Sequence, residues 1–512
     1  MAQAAQRTAY PPLAVLPGGA PARERTAAVI DLGSNSWRLV IFAYVPGASW
    51  RRVGELQEPV RIAEGLSGSG SLKPDAIARG LETLEMFGRY LDARGVAPAA
   101  VDAVATSAIR DAANGPDLLA VAQERTGLSI GVLSAEEEAR LGYVAAVNST
   151  TLADGVVLDL GSGSLQLTAV AGRQARQSAS WPLGAVRVTE QHLPSSRPPS
   201  RKQLKQARVA IREQLSSADW LGDSGGRLVG MGGAVRNLAA AAQGATSAGI
   251  QGYVLERARL GELVADLAKR PASQRALPGI KTGRADIVLA AALVLEQVVE
   301  LGGFGGIEVT RAGLREGVFF NRRLLGGSSP LLADVRVASI RNLALQFDAD
   351  ITHADHVARL ALQLHDSLVA EKVLTPAPGE RGLLWAAALL HDVGMTIAYD
   401  GHPDHAHYLI LQAGLPGYGP REVARIAEIV RHHRKGSPDD ELVARCALLL
   451  RLAEQLDRGQ DQAVIEARLV AERRTLRLRL RGDDRLARWS LERRLSDGAF
   501  RRVFGRRLVV TP

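Results

Sequence analysis

Apolar and polar positions follow one pattern twice along this chain. Val29-Ile-Asp-Leu-Gly-Ser-Asn-Ser-Trp-Arg-Leu39 and Val157-Leu-Asp-Leu-Gly-Ser-Gly-Ser-Leu-Gln-Leu167 align without a gap. Asp31/Asp159, Leu32/Leu160, Gly33/Gly161, Ser34/Ser162, Ser36/Ser164 and Leu39/Leu167 are identical. In each copy an apolar strand runs into Asp, then a Gly/Ser turn, then a second strand, Trp37 to Val45 or Leu165 to Val170. That pattern predicts two β-hairpins with polar tips. Helical periodicity follows each hairpin, at Pro74 to Leu91 and Ala135 to Val147. Alternating strands and helices predict an α/β fold in two similar halves.

Pro and Ser cluster from Leu193 to Ser200, which predicts a loop, and Gly326-Gly-Ser-Ser-Pro330 predicts a domain boundary. Beyond it the pattern turns helical. Val357, Leu360, Ala361 and Leu364 keep one apolar face, and Leu442 to Leu456 predicts a long buried helix. Leu476-Arg-Leu-Arg-Leu-Arg481 alternates strictly, so it predicts a strand with one apolar and one cationic face. The expected organisation is a disordered arm (1–26), α/β half I (27–150), α/β half II (151–328), a helical domain (329–465) and a small basic β-containing module (466–512).

With 46% hydrophobic and 23% charged residues over 512 positions, the composition excludes disorder over most of the length. At about 100–200 residues per domain, it fits roughly three domains. Cys446 is the single cysteine, so no intramolecular disulfide forms and a reducing compartment fits. No apolar run reaches the roughly 18 residues of a membrane span. The best candidate, Ile287 to Val299, is shorter and carries Glu296. Met1 to Arg25 lacks the continuous apolar core of a signal peptide. These features predict a soluble, cytoplasmic protein without membrane partners.

The net charge of +9 is concentrated: Glu466 to Pro512 holds 14 arginines against six acidic residues. Such a field attracts polyanions such as polyphosphate, RNA or anionic lipid. Abundant Ala and Gly equally allow the arginines to be a compositional bias, so charge alone names no partner.

The paired hairpins carry the strongest chemical signal. Backbone N–H groups and hydroxyls of Gly33, Ser34, Asn35 and Ser36, and of Gly161, Ser162, Gly163 and Ser164, can cradle phosphate. Asp31 and Asp159 can hold Mg²⁺ through water. Two such hairpins face to face would clamp a phosphate chain. Glu136, Glu137 and Glu138 suit the positive end of a helix, and three adjacent carboxylates are expected to raise one another's pKa, which suits a base. Arg110 reads as a surface ion pair with Asp111 when taken alone.

On these hairpins, and on Val60-Arg-Ile-Ala-Glu-Gly-Leu66, Ala105-Thr-Ser-Ala-Ile-Arg-Asp-Ala-Ala-Asn114, Glu136-Glu-Glu-Ala-Arg-Leu141, Gly230-Met-Gly-Gly233, Arg284-Ala-Asp-Ile287 and Gly313-Leu-Arg-Glu-Gly317, the chain resembles the exopolyphosphatase/guanosine pentaphosphate phosphatase family. That family lies within the actin-like, sugar-kinase-like ATPase superfamily. The resemblance spans residue 27 to about residue 460. It implies two actin-like (ribonuclease H-like) halves, Glu138 as the base that activates water, and Arg110 as a phosphate-contacting arginine. It also implies phosphate contacts at Gly232 and Gly233, a Mg²⁺ or Mn²⁺ ion near Asp31, Asp159 and residue 166, a role in the stringent response, and a cytoplasmic homodimer. One position departs. The family's second hairpin reads Gly-Gly-Gly-Ser-Thr-Glu, whereas this chain has Gly161-Ser-Gly-Ser-Leu-Gln166. An amide oxygen in place of a carboxylate bears on metal affinity and rate rather than on fold or phosphate binding.

Nine of the ten histidines fall between His353 and His433. The order His353, His391-Asp392, His405, His433, Asp457 resembles that of the HD-domain metal-dependent phosphohydrolases. It implies one or two transition-metal ions held by His353, His391, Asp392 and Asp457, with His405 and His433 completing a second site. Imidazole and carboxylate together suit Mn²⁺, Fe²⁺, Co²⁺ or Zn²⁺. His356, His365, His402, His407 and His432 are expected to be surface or core residues. Three functions follow from the resemblance: release of orthophosphate from the end of polyphosphate, hydrolysis of guanosine pentaphosphate at the same site, or a sensor that binds either anion with little turnover. No specific nucleic acid is expected as a partner. An ATP-driven kinase is disfavoured, because no adenine-pocket signal accompanies the Gly230 to Gly233 loop.

Overall fold

A computed structural model describes residues 23–244, 249–326, 330–483, 485–494 and 497–510. Most of the expected N-terminal arm (1–22) and part of the expected boundary at Gly326 to Pro330 (327–329) lie outside the described residues. The described chain divides into two compact units, within 22–335 and 336–512.

The first unit contains two sheets built alike. In one, β1 (Arg25–Leu32), β2 (Trp37–Val45), β3 (Ser49–Glu58), β4 (Val101–Ala105) and β5 (Ile130–Val132) lie in the order β3-β2-β1-β4-β5. In the other, β6 (Gly155–Leu160), β7 (Leu165–Ala171), β8 (Gln174–Trp181), β9 (Leu228–Met231), β10 (Val254–Glu256) and β11 (Gly306–Val309) lie in the order β10-β11-β9-β6-β7-β8. The first three strands of each sheet are antiparallel neighbours, and the next joins the first in parallel. The repeated hairpin is therefore the start of a repeated topology, two α/β halves. β1 opens at Arg25, inside the span expected for the arm, because Arg25 and Thr26 pair with Tyr44 and Ala43 of β2.

Both sheets are covered on two faces, which is why β1 and β6 read as continuous apolar runs. Ala28, Ile30 and Leu32 face one core, while Ala27 and Val29 face another, the alternation a strand imposes. The latter core also takes Val157 and Met231 from the second sheet and joins the halves through helices Ala135–Val147 and Leu314–Phe319. The rings of Phe42 and Phe319 stack there at 4.0 Å between centroids. The two helices cross where Gly317 meets the Leu141 carbonyl, leaving no room for a β-carbon.

The second unit packs helices Ile351–Ala370, Glu380–Leu390, His402–Ala413, Pro420–Arg431 and Glu441–Leu456 against a sheet of β12 (Val464–Ala471), β13 (Thr475–Gly482) and β14 (Arg507–Val510). The basic tail has no core of its own: Ala467, Leu476, Leu478 and Phe500 pack in one cluster with Val357, Leu360 and Leu364. Its cationic face is partly neutralised, Arg477 by Glu472 at 2.6 Å and Arg481 by Glu466 at 3.3 Å. Among the described residues, no helix is long and apolar enough to cross a membrane.

The Gly317 crossing yields a stability prediction. Gly317→Ala forces the two joining helices apart, and denaturant unfolding should show a loss of about 1–3 kcal/mol. Wild-type stability in that variant would mean the crossing tolerates a methyl group.

Candidate functional site

The C-terminal ends of β1, β4, β6 and β9 open into one cleft of about 770 Å³ including its mouth. Ligands of open α/β sheets bind at such strand ends. Both Gly/Ser turns line it, from Gly33 to Ser36 and from Gly161 to Ser164, together with Asp31, Asp159, Gly232, Gly233 and Glu138. The two turns abut directly. Ser34 Oγ lies 3.3 Å from Ser107 Oγ, and a β-carbon at Gly163 would run into both hydroxyls. Gly232, at φ +108°, turns the end of β9 into helix Gly233–Gln243 against the Leu160 carbonyl. A left-handed φ there favours glycine.

Helix Ala135–Val147 sorts its three glutamates. Ser134 Oγ accepts from the Glu137 N–H and the Glu137 carboxylate accepts from the Ser134 N–H, a capping box that holds the Glu137 pKa below its usual value. Glu138 points into the cleft and is 8% exposed. Burial, then the charges of Asp159 and Asp31, push its pKa up to about 7 against the pull of Arg110. The expected mutual effect of the three glutamates is not the cause, since neighbours one and two apart on a helix face different ways.

Arg110, in helix Ser107–Asp111, stands behind this carboxylate. Its Nη1 donates to Glu138 Oε2 at 3.1 Å and to the Leu133 carbonyl at 2.9 Å. It is not among the residues lining the cleft. Gln166 also lies behind the lining. It pairs with Asp159 across the hairpin, its Nε2 donates to Ser164 Oγ at 2.9 Å, and its Oε1 has no partner.

Four arginines to which the sequence alone assigns no role line the cleft: Arg38, Arg236, Arg284 and Arg315. Arg38 faces Asp31 across the first hairpin, the position Gln166 holds in the second. Burial, then Arg315 and Arg38, lower Arg236 to about 9; burial, then Arg315 and Arg284, lower Arg38 to about 10. Burial also raises Asp31, and raises Asp159 to about 6. Every one of these shifts opposes charge in the bare protein, so the cleft is a site prepared for charged ligands. Arg284 and Arg315 lie inside the Arg284–Ile287 and Gly313–Gly317 motifs, and Arg236 lies three residues beyond Gly233. A lone arginine has no spacing signal, so only their convergence marks them. Asp31 and Asp159, two half-buried oxygen donors on one cleft, fit a hard divalent cation.

In the helical unit, His353, His391 and Glu454 form one ligand-like group, and Asp392, His402 and His433 another. Asp392 faces both, with Oδ2 3.4 Å from His391 Nε2 and Oδ1 3.4 Å from His402 Nε2. All four imidazoles turn Nε2 inward because Nδ1 is engaged behind. Nδ1 of His353 meets Asp457 Oδ2 at 2.8 Å, and those of His391, His402 and His433 meet the carbonyls of Ala388, Tyr399 and Val430 at 2.8, 2.9 and 2.6 Å. That is the outer support metal-bound histidines receive.

The structure places two expected positions outside these groups. Asp457 holds the back of His353, while Glu454, one helical turn earlier, reaches its Nε2 at 3.2 Å. His402 enters the cluster in place of His405, whose buried Nδ1 has no partner. Burial opposes the charge of His353, but Asp457 and Glu454 overcome it and raise its pKa to about 10; burial and then His391 lower His433 to about 3.

The Ppx/GppA phosphatase family model matches residues 40–325, and the model of Ppx/GppA phosphatase domain III matches residues 335–495. A solved Aquifex aeolicus member of the Ppx/GppA family is 26% identical over 58% of this chain and 97% of its own, with a TM-score of 0.51. A second structure, of the Aquifex aeolicus PPX-GPPA enzyme, is 27% identical over 58% and 99%, with a TM-score of 0.51. An exopolyphosphatase from Cytophaga hutchinsonii, 22% identical over 58% and 97% with a TM-score of 0.53, shares the fold. With the repeated sheets, the cleft at their strand ends and a family match over more than half its length, this chain belongs to the Ppx/GppA phosphatase family.

Proposed function

We propose that the protein is an exopolyphosphatase that releases orthophosphate from the end of inorganic polyphosphate. The carrying observation is the composition of the cleft: four arginines and two Gly/Ser turns surround Glu138, and among the described residues only Leu160 and Leu314 line it with apolar side chains. Such a lining suits a chain of phosphates and, among the described residues, offers a nucleobase no aromatic ring to stack on. Guanosine pentaphosphate, presenting the same terminal anhydride with its base outside, is the alternative substrate. A weakly active sensor of either anion is the other.

In this mechanism the turn N–H groups and the arginines hold the terminal phosphates and neutralise charge developing on the phosphoryl oxygens. Glu138 takes a proton from a water in line with the terminal phosphorus. The new P–O bond comes from that water, the anhydride P–O bond breaks, and the shortened chain leaves with its electron pair. Arg110 acts as a positioning residue that keeps Glu138 ionised and aimed. A Mg²⁺ or Mn²⁺ ion at Asp31 and Asp159 supplies further charge neutralisation when bound. A reducing compartment such as the cytoplasm fits the single buried thiol of Cys446. We read the histidine cluster of the helical unit as a transition-metal centre, ligated by His353, His391, Asp392, His402, His433 and Glu454.

Three outcomes are expected. Glu138→Gln should lower phosphate release by about 10²–10⁴-fold while polyphosphate affinity changes only a few-fold; a variant that keeps most of its turnover removes Glu138 from the mechanism.

A carboxylate raised to about 7 is protonated and inactive as a base below that pH. Activity should therefore rise with pH through about 7, and Arg110→Gln should move that limb upward, because the lost cation favours the ionised form. A limb that stays in place assigns it to another group.

Arg477, Arg479 and Arg481, on β13, are read as contacts for long chains. Replacing all three by Gln should weaken long-chain binding and flatten its salt dependence while leaving tripolyphosphate hydrolysis intact. Equal losses for short and long chains would make the strand structural.

A further inference from the structure

The helical unit holds a second cavity, of about 970 Å³ including its mouth, which none of the histidines and carboxylates of the metal-type groups line. Ala444, Ala447, Leu448 and Arg451, spaced three and four apart, supply one wall from a single face of helix Glu441–Leu456. Ala499, Arg502 and Val503 supply another from one face of helix Asp497–Phe504, and residues 434–438 a third.

Arg451 is held rigidly in this lining. Its Nε donates to the His433 carbonyl at 3.3 Å, and its Nη2 to those of His432 and Gly436 at 2.8 and 3.2 Å. Its Nη1 meets no partner among the described residues, and burial lowers the pKa of the group with no acid to offset it. Lys435 and Arg502 are exposed and pair with no carboxylate among the described residues. Arg434 lines the cavity too, donating to the Tyr399 hydroxyl at 3.3 Å. Four cations therefore share a cavity in which no described lining residue is acidic.

Two properties of a ligand follow. A cavity lined by one sign of charge focuses its field on an ion of the other sign, so the ligand is an anion. Lys and Arg donate hydrogen bonds and accept none, and Ser437 is the one described lining side chain able to accept. A nucleobase, which carries donors as well as acceptors, is poorly served there. The remaining wall of Ala, Leu and Val side chains suits hydrocarbon.

We propose that this cavity binds an aliphatic anion, a hydrocarbon chain ending in a phosphate or carboxylate, with Arg451, Lys435 and Arg502 around the head and Ala444, Ala447, Leu448 and Val503 along the chain. Nothing in this assignment depends on the cleft of the first unit or on metal in the histidine cluster. Such a ligand exists both as a soluble metabolite and as a lipid in a bilayer, and its chemistry at this site is the same.

The test uses the full chain and calorimetry with inorganic phosphate and with butyl, hexyl and octyl phosphate. Inorganic phosphate measures the background of other anion sites, the cleft included. Above it, affinity should rise about three- to fourfold for each methylene buried. Ala444→Leu, at a half-exposed position, should end that rise at a shorter chain. Arg451→Gln should weaken octyl phosphate about tenfold, the effect of one lost charged hydrogen bond. A Lys435→Gln/Arg502→Gln variant alters only exposed side chains and should weaken it comparably, with tripolyphosphate hydrolysis unchanged. Affinity independent of chain length overturns the proposal, as does octyl phosphate binding indifferent to both sets of cation variants. Adenosine monophosphate bound more tightly than octyl phosphate makes the cavity a nucleotide seat and overturns it as well. Sedimentation with vesicles of phosphatidic acid in phosphatidylcholine, reversed by octyl phosphate, assigns the ligand to the bilayer; octyl phosphate binding without sedimentation assigns it to the soluble pool.

Discussion

Charge held out of water at the meeting of two Gly/Ser turns is the constraint around which the first unit is organised. Asp31 and Asp159 end equivalent strands, Glu138 enters from a helix, and Arg38, Arg236, Arg284 and Arg315 close the ring. Burial pushes these acids up and pulls Arg38, Arg236 and Arg284 down. Isolated charges would be expelled or neutralised at that depth. They persist here because the sheets fix their positions, and in the proposed function an anionic substrate and a cation would complete the set. The turns must come close for this, which is why position 163 has no space for a β-carbon.

The duplication explains the shape of the site, and its divergence explains the chemistry. Opposite Asp31 the first hairpin carries Arg38, a cation in the cleft. Opposite Asp159 the second carries Gln166, which steadies Ser164 from behind. Equivalent backbone positions thus supply a cation lining the cleft on one side and support for a turn on the other. Glu138 has no counterpart in the repeated hairpins. Its raised pKa arises from burial beside Asp159, with Arg110 setting how far it rises.

Much of this was legible in the sequence. The hairpins announce themselves by alternation and by the repeated Asp-Leu-Gly-Ser, and β13 by its strict Leu/Arg period. The remainder was hidden because it depends on convergence. Arg236 and Arg315 lie on separate helices, and no spacing links them before the chain folds. Glu454 lies in the last turn of helix Glu441–Leu456 and Asp457 caps its end; both reach His353, one on each ring nitrogen, and spacing does not tell which faces the cluster. His402 and His405 pose the same ambiguity, resolved by the Tyr399 carbonyl that fixes the His402 ring. The basic tail read as a separate module because its arginines dominate its composition, whereas its leucines belong to the core of the helical unit.

The most direct measurement of the central claim follows the oxygen atoms. Purified protein acts on long-chain polyphosphate in ¹⁸O-labelled water, and the released orthophosphate is analysed by mass together with the chain lengths that remain. End-on attack by water predicts orthophosphate from the first time points, one solvent oxygen in each molecule, and no internal fragments. Release of internal fragments, orthophosphate without solvent oxygen, or no orthophosphate from either polyphosphate or guanosine pentaphosphate would contradict it.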